Sequence, residues 1–362
     1  MKSRYSKEFR SSIRLSELPR PTWWAHWIRF FKSFEVCFFK VLEILALYRS
    51  QKSILAIPTL ATPGFTSLQA VVFNGTQEEV LGFKPRRLFH RILRGIPDLE
   101  FFERVKFQVS FSENNLRTIE ASSEARGFLH LQMPWQLPET SPRVSWVRIQ
   151  PTGVETIFGK VKIGDYQLLS APVFFLNEKI DSVIISDIDD TIKDSNVAKS
   201  TSFYSILNGL LKGHYYQYEA IEGMAEFYQS LARQNSMIVY VTSTPYELAP
   251  FLLKFLRDRQ FPEGPVFMRW LGYGRFGHKW RTINRVLSQV SHQKCILIGD
   301  SGEQDLQIYR RICETADYGE KVKKILIRHV PGTPIQKAVN KREIFYSELS
   351  ELKQEIESVL KY

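Results

Sequence analysis

The spacing of hydrophobic and polar residues changes character near residue 179. Between residues 51 and 178, short apolar runs are separated by clusters of Gly, Pro, Asn and Ser, and apolar and polar residues alternate over 128–133 and 157–163. Alternation of this kind is typical of half-buried antiparallel strands. The pattern therefore predicts a small antiparallel β-sandwich domain over residues 51–178. Its two histidines, His90 and His130, stand apart from other candidate groups, so we expect no catalytic site there.

Beyond residue 179, runs typical of strands alternate with helical patterns. The apolar run at 183–185 shows no polar alternation, which indicates a strand covered on both faces, as in a parallel sheet flanked by helices. Further strands are predicted at 237–242 and 295–300. We therefore predict an α/β domain with a Rossmann-like parallel sheet over residues 179–340, followed by a charged amphipathic helix over 341–362.

Acidic residues crowd the point where the first of these strands must leave the core. Four aspartates lie between residues 187 and 194. Carboxylates held this close repel one another, which raises the pKa of at least one of them unless a cation neutralises the group. A solvated acidic loop is the alternative interpretation. A calcium loop of the EF-hand type fits poorly, because its sixth position, counted from Asp187, needs a turn-forming Gly and is Ile192.

Candidate functional groups follow three of the predicted strands at their carboxyl ends. Asp187 ends the first strand, Thr242 and Ser243 end the second, and Asp300 ends the third. Lys279 opens an intervening helical pattern. In an open parallel sheet, ligands bind beyond the carboxyl ends of the strands. The sequence therefore predicts that these groups meet at one edge of the sheet.

Four segments resemble, in order and spacing, the motifs of the haloacid dehalogenase (HAD) superfamily of phosphotransferases: DIDDT, VYVTSTPYEL, KWRTI and ILIGDSGEQDLQIY. Together with EGMAEFYQSLA and ILIR, they are similar to the catalytic domain of the actin-patch type of phosphatidate phosphatase. The resemblance covers residues 179–330, and ILIGDSGEQD is its most specific part. His329, directly after ILIR, stands where an acidic residue is expected.

The resemblance implies a HAD-like phosphatase domain that works through an aspartyl-phosphate. Asp187 is the predicted nucleophile. Asp189 is the predicted general acid and base, which protonates the leaving alkoxide and later takes a proton from water. Thr242, together with Ser243, is expected to hydrogen-bond the phosphoryl group, and Lys279 is expected to bind it as a point charge.

Mg²⁺ is the predicted cofactor, because a cation would neutralise the crowded carboxylates. Its predicted ligands are the side chains of Asp187 and Asp300 and the backbone carbonyl of Asp189, since Mg²⁺ prefers hard oxygen ligands. Asp305 is expected to support the metal site from outside the direct ligands.

The overall charge favours anionic partners. The chain has 49 Lys and Arg against 38 Asp and Glu, a net charge of +11, which suits phosphates, anionic membrane surfaces or nucleic acid. A nucleic-acid partner is not expected, because no basic helix interleaved with aromatic residues accompanies a known motif. The three scattered cysteines and the lack of an apolar stretch before residue 20 predict a cytoplasmic location.

An unusual aromatic segment occupies residues 22–48. On a helix it would carry one narrow polar stripe, with Trp, Phe and Leu covering the rest. Its charged residues oppose a transmembrane helix, because each one costs roughly 2.5–3.5 kcal/mol at the centre of a bilayer. We predict an amphipathic helical region over residues 1–50 that binds a membrane surface peripherally. The alternative is a helix packed on the sheet of the protein itself.

These observations lead to three hypotheses for the function. The first is a Mg²⁺-dependent phosphatidate phosphatase of lipid metabolism, which releases diacylglycerol and phosphate. The second is a HAD-type phosphatase acting on another lipid or soluble phosphomonoester. The third is an inactive membrane-binding module, and the presence of all four motif positions argues against it. Substrate selectivity is expected to lie in residues 198–223.

Overall fold

The structure is a computed structural model of the chain. It describes residues 52–62, 64–74, 104–111, 119–122, 128–135, 144–156, 159–161, 169–194, 219–269, 275–315 and 318–360. The predicted helical region over residues 1–50, residue His90 and most of the predicted selectivity segment lie outside these ranges. Within them, no helix is both long enough and apolar enough to cross a membrane.

The first part of the described chain consists of short strands. They are β1 (Lys52–Ile57), β2 (Thr59–Thr62), β3 (Gly64–Asn74), β4 (Arg104–Phe111), β5 (Ile119–Ser122), β6 (Phe128–Trp135), β7 (Val144–Thr156), β8 (Gly159–Val161) and β9 (Leu169–Phe175). They follow the order β1-β3-β2-β9-β7-β4-β5, with β6 beside β3 and β8 beside β7. Every pairing is antiparallel except that of β2 with β9.

Strand β3 lies between β1 and β6, whereas β2, β9, β7, β4 and β5 follow one another in a second group. Buried side chains of both groups share one core, to which Leu68 of β3, Leu129 of β6, Val109 of β4 and Val147 of β7 belong. A common core between two groups of strands is what a two-layer arrangement requires. The antiparallel part of the structure is therefore compatible with the predicted sandwich.

The second part of the chain contains a six-stranded parallel sheet. Its strands are β10 (Ser182–Ser186), β13 (Ser236–Pro245), β14 (Val266–Arg269), β15 (Lys294–Asp300), β16 (Val322–Arg328) and β17 (Glu343–Tyr346). Their order is β14-β13-β10-β15-β16-β17. Strand β10 lies in the middle, as predicted for an apolar run without alternation. The two-residue strands β11 (Lys193–Asp194) and β12 (Glu219–Ala220) form a separate antiparallel pair. The predicted α/β domain with a Rossmann-like parallel sheet is confirmed.

Helices cover both faces of this sheet. They are α1 (Met224–Ala232), α2 (Ala249–Asp258), α3 (Arg275–Gln289), α4 (Asp305–Cys313) and α5 (Leu349–Leu360). Ile184 of β10 belongs to the core under α1, α2 and α5. Its neighbours Val183 and Ile185 belong to the opposite core, under α3 and α4. Because successive residues of a strand point to opposite faces, both faces of β10 must be apolar.

The predicted C-terminal helix begins later than expected. Residues Glu343–Tyr346 form the edge strand β17, and α5 starts only at Leu349. These residues form a strand and not a helix because Ile344 and Phe345 pack against the cores on the two faces of the sheet. Glu343 also accepts two hydrogen bonds from the guanidinium of Arg310, at 2.9 and 2.8 Å, which ties the strand to α4. The prediction of a helix from residue 341 was therefore wrong for residues 341–348, four of which form β17.

The two parts of the chain share their cores. Ile57 and Val71 of the antiparallel part pack in the core under α1 and α2, and Leu60 and Phe174 pack in the opposite core. The backbone carbonyl of Pro58 accepts a hydrogen bond of 2.9 Å from the N–H of Val266 in β14. The chain passes from the largely antiparallel sheet to the parallel sheet between β9 and β10. The domain bounds 51–178 and 179–340 stay predictions.

Candidate active site

The parallel register of three central strands brings the predicted groups to one edge. Ser186 at the end of β10 pairs with Tyr240 of β13 and Ile298 of β15. Beyond these paired positions, the N–H of Asp187 donates a hydrogen bond of 2.9 Å to the carbonyl of Ile298. Thr242 and Asp300 follow their own paired residues by two positions. The site is thus assembled by strand pairing between segments more than fifty residues apart in sequence.

Lys279 lies at the centre of a carboxylate cluster. Its Nζ is 2.8 Å from Oδ1 of Asp187, 2.5 Å from Oδ1 of Asp305 and 3.4 Å from Oε2 of Glu303. Burial alone would lower the pKa of Lys279, but the charges of Asp187 and Asp305 outweigh burial and raise the pKa well above its usual value. The lysine is therefore a permanent cation held against the predicted nucleophile.

One lysine does not neutralise this cluster. Asp187, Asp300 and Asp305 are all buried, and one oxygen of each lies within 4.8 Å of the others. Burial raises the pKa of all three carboxyls; Lys279 opposes the shift, and the neighbouring carboxylates add to it. Oδ2 of Asp300 and Oδ2 of Asp305 have no hydrogen-bond partner among the described residues. Buried, unpartnered carboxylate oxygens of this kind fit a hard divalent cation.

Backbone hydrogen bonds hold the carboxylate of Asp300 in place within the cluster. Oδ1 of Asp300 accepts hydrogen bonds from the N–H groups of Gly302 at 2.5 Å and Glu303 at 3.0 Å, so Oδ2 is left to face the cluster. Gly299 permits this packing, because a Cβ at that position would lie 2.6 Å from Oδ2 of Asp305. Asp305 therefore belongs to the same carboxylate cluster as Asp187 and Asp300.

Asp189 has a different environment from Asp187. Its Oδ1 is 2.5 Å from Nζ of the buried Lys193. Its Oδ2 accepts hydrogen bonds from Oγ1 of Thr242 at 3.1 Å and Oγ1 of Thr244 at 2.6 Å. Burial would raise the pKa of Asp189, but Lys193, the hydrogen bond from Thr244 and the charge of Lys279 lower it to about 2. The predicted acid and base is thus an ionised carboxylate whose two oxygens are both engaged.

Sequence reasoning missed Lys193 and Thr244. Thr244 follows Thr242 by two residues in strand β13, so both side chains leave the same face, and this spacing was a usable signal. Lys193 carried no comparable signal, because its contact depends on a turn in which Asp190 adopts a positive φ of 55°. Asp190 itself is buried in this turn, and its carbonyl accepts a hydrogen bond of 2.8 Å from Arg328.

The remaining predicted residues lie at the same edge. Thr242 is fully buried, and besides donating to Asp189 its Oγ1 accepts a hydrogen bond of 3.0 Å from the N–H of Thr244. The carbonyl of Ser243 accepts a hydrogen bond of 2.8 Å from Nε of Arg269, while its buried Oγ has no partner among the described residues. The structure therefore brings Asp187, Lys279, Asp300 and Asp305 into one cluster and Thr242 against Asp189, whereas Ser243 shares only the strand end. The roles of these residues stay predictions.

Comparison with known proteins agrees with the sequence resemblance. Residues 182–329 match the family described as phosphatidate phosphatase APP1, catalytic domain. The phosphatidate phosphatase APP1 of Saccharomyces cerevisiae is 30% identical over 137 residues, 35% of this chain and 22% of the relative. An uncharacterised protein of Schizosaccharomyces pombe is 29% identical over 161 residues, 41% of this chain and 25% of the relative. The matched region thus spans about a quarter of the length of these curated relatives.

Two of the solved structures matched in the comparison are covered almost completely. A β-phosphoglucomutase described as putative, from Thermotoga maritima, is 11% identical, with a TM-score of 0.32 and coverage of 49% of this chain and 99% of that one. A HAD family hydrolase from Deinococcus radiodurans R1 is 12% identical, with a TM-score of 0.31 and coverage of 51% and 98%.

The family match confirms the predicted resemblance to the phosphatidate phosphatase catalytic domain over residues 182–329. The match supports the prediction of a phosphoric monoester hydrolase.

Proposed function

We propose that this chain is a Mg²⁺-dependent phosphatidate phosphatase that yields diacylglycerol and phosphate. One observation carries the proposal: within the matched region, a buried nucleophile candidate, Asp187, touches Lys279 and stands in a cluster of unneutralised carboxylates. An ionised acid and base candidate, Asp189, follows it by two residues. Attack on a phosphate needs these parts, because an anionic nucleophile must approach an anionic group.

The first half-reaction forms an aspartyl-phosphate. An oxygen of Asp187 attacks phosphorus, the bond from phosphorus to the lipid oxygen breaks, and Asp189 gives a proton to the leaving alkoxide. Lys279 and the hydroxyl of Thr242 hold phosphoryl oxygens. In the second half-reaction, water attacks the same phosphorus, Asp189 takes the proton from that water, and the bond to Asp187 breaks to release phosphate.

The metal site belongs to the same edge. The side chains of Asp187 and Asp300 and the carbonyl of Asp189 would hold Mg²⁺, and Asp305 borders the cluster through its unpartnered oxygen. When bound, the ion neutralises negative charge on the nucleophile and the phosphoryl group.

The protonation of Asp189 needs a source. Because its pKa is lowered to about 2, this residue is a carboxylate at neutral pH and suits the base step directly. The acid step requires one added proton. The second pKa of a phosphomonoester is about 6, so a fraction of the substrate is the monoanion at neutral pH. The monoanion brings the required proton into the site.

Membrane association is the second part of the proposal. Phosphatidate resides in a bilayer, and the net charge of +11 favours an anionic surface. The aromatic segment over residues 22–48, outside the described residues, is the predicted contact. A HAD-type phosphatase for another phosphomonoester and an inactive membrane-binding module are the competing hypotheses.

A phosphate-release assay over a panel of substrates tests these hypotheses. The panel holds phosphatidate in vesicles, dioctanoyl phosphatidate, other phospholipid monoesters and soluble sugar phosphates, each with Mg²⁺ and with EDTA. We expect Mg²⁺-dependent release, fastest from phosphatidate. Preference for a soluble ester would favour the general phosphatase, and no release from any ester would favour the inactive module.

A further inference from the structure

We propose that Lys193 and Thr244 are positioning residues that hold the Asp189 carboxylate in the orientation needed for proton transfer. The inference rests on the proposed phosphatase function and deepens it. It assigns a role to two residues that contact the acid and base and that no sequence motif singled out.

The contacts restrain both oxygens of Asp189 from different parts of the chain. Lys193 reaches Oδ1 at 2.5 Å from the turn that follows β10. Thr244 reaches Oδ2 at 2.6 Å from strand β13. Because a carboxylate rotates about a single bond, one contact fixes its position only loosely, whereas opposed contacts on the two oxygens fix its plane.

The turn itself presents Lys193 in a defined position. The N–H groups of Ile192 and Lys193 both donate to the carbonyl of Ile188 at 3.0 Å, and the N–H of Asp190 donates to the carbonyl of Lys193 at 2.8 Å. Residue 189 also bridges to residue 193. A lysine tied to the backbone in this way loses little further freedom when it binds Asp189.

Thr242 cannot provide this restraint throughout the reaction. In the structure its hydroxyl donates to Asp189, but its predicted role is to donate to the phosphoryl group. A hydroxyl has one proton to donate. When Thr242 turns to the substrate, Lys193 and Thr244 remain as the described donors to Asp189, and the lone pair that Thr242 releases on Oδ2 becomes available to the leaving group.

The experiment compares two substrates that differ in their need for a proton. Dioctanoyl phosphatidate has an alkoxide leaving group that must be protonated, whereas 4-nitrophenyl phosphate leaves as a stabilised phenolate. The ratio kcat/KM reports the first half-reaction for both. It is measured with Mg²⁺ for the wild-type chain, Lys193→Met, Thr244→Val and the control Lys254→Met, which removes an exposed Lys–Asp pair of the same four-residue spacing in α2.

We expect a selective loss. General acid catalysis is typically worth 10²–10⁴-fold, so loosening the acid in Lys193→Met should lower kcat/KM by at least about tenfold on the alkyl ester and by less than about threefold on the aryl ester. Thr244→Val should show the same selectivity with a smaller loss. Lys254→Met should leave both values unchanged. Added to Asp189→Asn, Lys193→Met should cause less than about a twofold further loss, because the two residues act as a unit.

Equal losses on both substrates, or an additive loss in the Asp189→Asn background, would contradict the positioning role while leaving the phosphatase function intact. A wild-type chain that hydrolyses neither ester would contradict the proposed function itself. Thermal melting checks the fold of each variant. If Lys193→Met does not fold, Thr244→Val decides alone, since Val replaces Thr with nearly the same shape.

Discussion

Asp187 and Asp189 are two residues apart and have opposite surroundings. Burial raises the pKa of Asp187 well above its usual value; Lys279 works against this shift, and Asp305 and Asp300 reinforce it. For Asp189 the effect of burial is overcome by Lys193, and the pKa falls to about 2. A formal count explains the difference. Lys279 faces four carboxylates, those of Asp187, Asp300, Asp305 and Glu303, whereas Lys193 faces Asp189.

The domain supplies its own positive charge next to Asp189, whereas the carboxylates around Asp187 need further positive charge from outside the chain. The Asp187 side has a formal charge of −3 (one lysine against four carboxylates), so an incoming cation would stabilise it. The Asp189 side is balanced by a residue of the chain itself. The proposed metal site and the proposed proton-transfer site therefore stand next to each other, each with a lysine of its own in direct contact.

Replacing the nucleophile should have the largest effect. Asp187→Asn keeps the shape of the side chain but removes the charge that attacks phosphorus, so phosphate release should fall to background. The control is Asp181→Asn, which changes an exposed aspartate just before the opposite end of β10 and should keep full activity. Steady turnover by Asp187→Asn would contradict the aspartyl-phosphate mechanism.

The next largest effect is expected at the metal side. Asp300→Asn should raise the Mg²⁺ concentration needed for half-maximal activity by at least about tenfold, because it removes an anionic oxygen ligand. The same variant should make the metal-free protein more stable than the wild type, since one of the repelling buried carboxylates is gone. Titration with Mg²⁺ and thermal melting in EDTA measure the two results. An unchanged Mg²⁺ response would remove Asp300 from the ligand set.

The contributions of Asp187 and Asp300 to the stability of the protein should change with pH in the opposite direction to that of Asp189. Raised pKa values mean that native Asp187 and Asp300 hold protons above pH about 4, where the unfolded chain has released them. Their contribution to the stability of the metal-free protein therefore falls as pH rises above that value. Asp189, with its lowered pKa, stabilises fully above pH about 4 and loses this contribution as pH falls toward 2.

The increase in Tm caused by Mg²⁺ should therefore grow between pH 5 and 8. A cation relieves the repulsion that deprotonation creates, and it binds only the deprotonated carboxylates. The difference between melting curves with Mg²⁺ and with EDTA cancels the contribution of buried histidines such as His278, whose pKa is lowered to about 4. A Mg²⁺ effect that shrinks over this range would contradict the assignment of the cluster.

On the Asp189 side, the expected change in stability has the opposite sign to that of Asp300→Asn. Asp189→Asn should lower the free energy of unfolding by about 1–3 kcal/mol, because the buried Lys193 loses its counter-charge. Urea unfolding of the metal-free variants measures both changes. If both substitutions stabilised the protein, the two sides would not differ as described.

The smallest effect is expected for an exposed pair of the same type. Asp258→Asn removes the partner of Lys254 in α2, where both side chains are 43% exposed. Exposed pairs contribute only about 0.2–1 kcal/mol, so activity should stay unchanged and urea unfolding should shift little. A loss as large as that of Asp189→Asn would show that burial is not what distinguishes Lys193.

The sequence was informative where strand order decides the outcome. Asp187, Thr242 and Asp300 could be predicted to meet because parallel strands align their carboxyl ends, and Lys279 follows from the motif order. Lys193 could not be predicted, because its contact depends on the unusual backbone of Asp190. Strand β17 was missed for a related reason: it is held by tertiary contacts, namely the packing of Ile344 and Phe345 on the two cores and the contact of Glu343 with Arg310.

The hydrogen bond from Val266 to Pro58 has a practical consequence for anyone who isolates the catalytic part of the chain. Strand β14 is the outer strand of the parallel sheet, and an uncovered outer strand invites pairing with another molecule. Pro58 covers this strand at Val266, while Leu60 and Phe174 fill the adjoining core. A fragment that starts at residue 179 lacks all three residues. It should self-associate on purification, whereas a fragment that starts at residue 50 should remain monodisperse in size-exclusion chromatography.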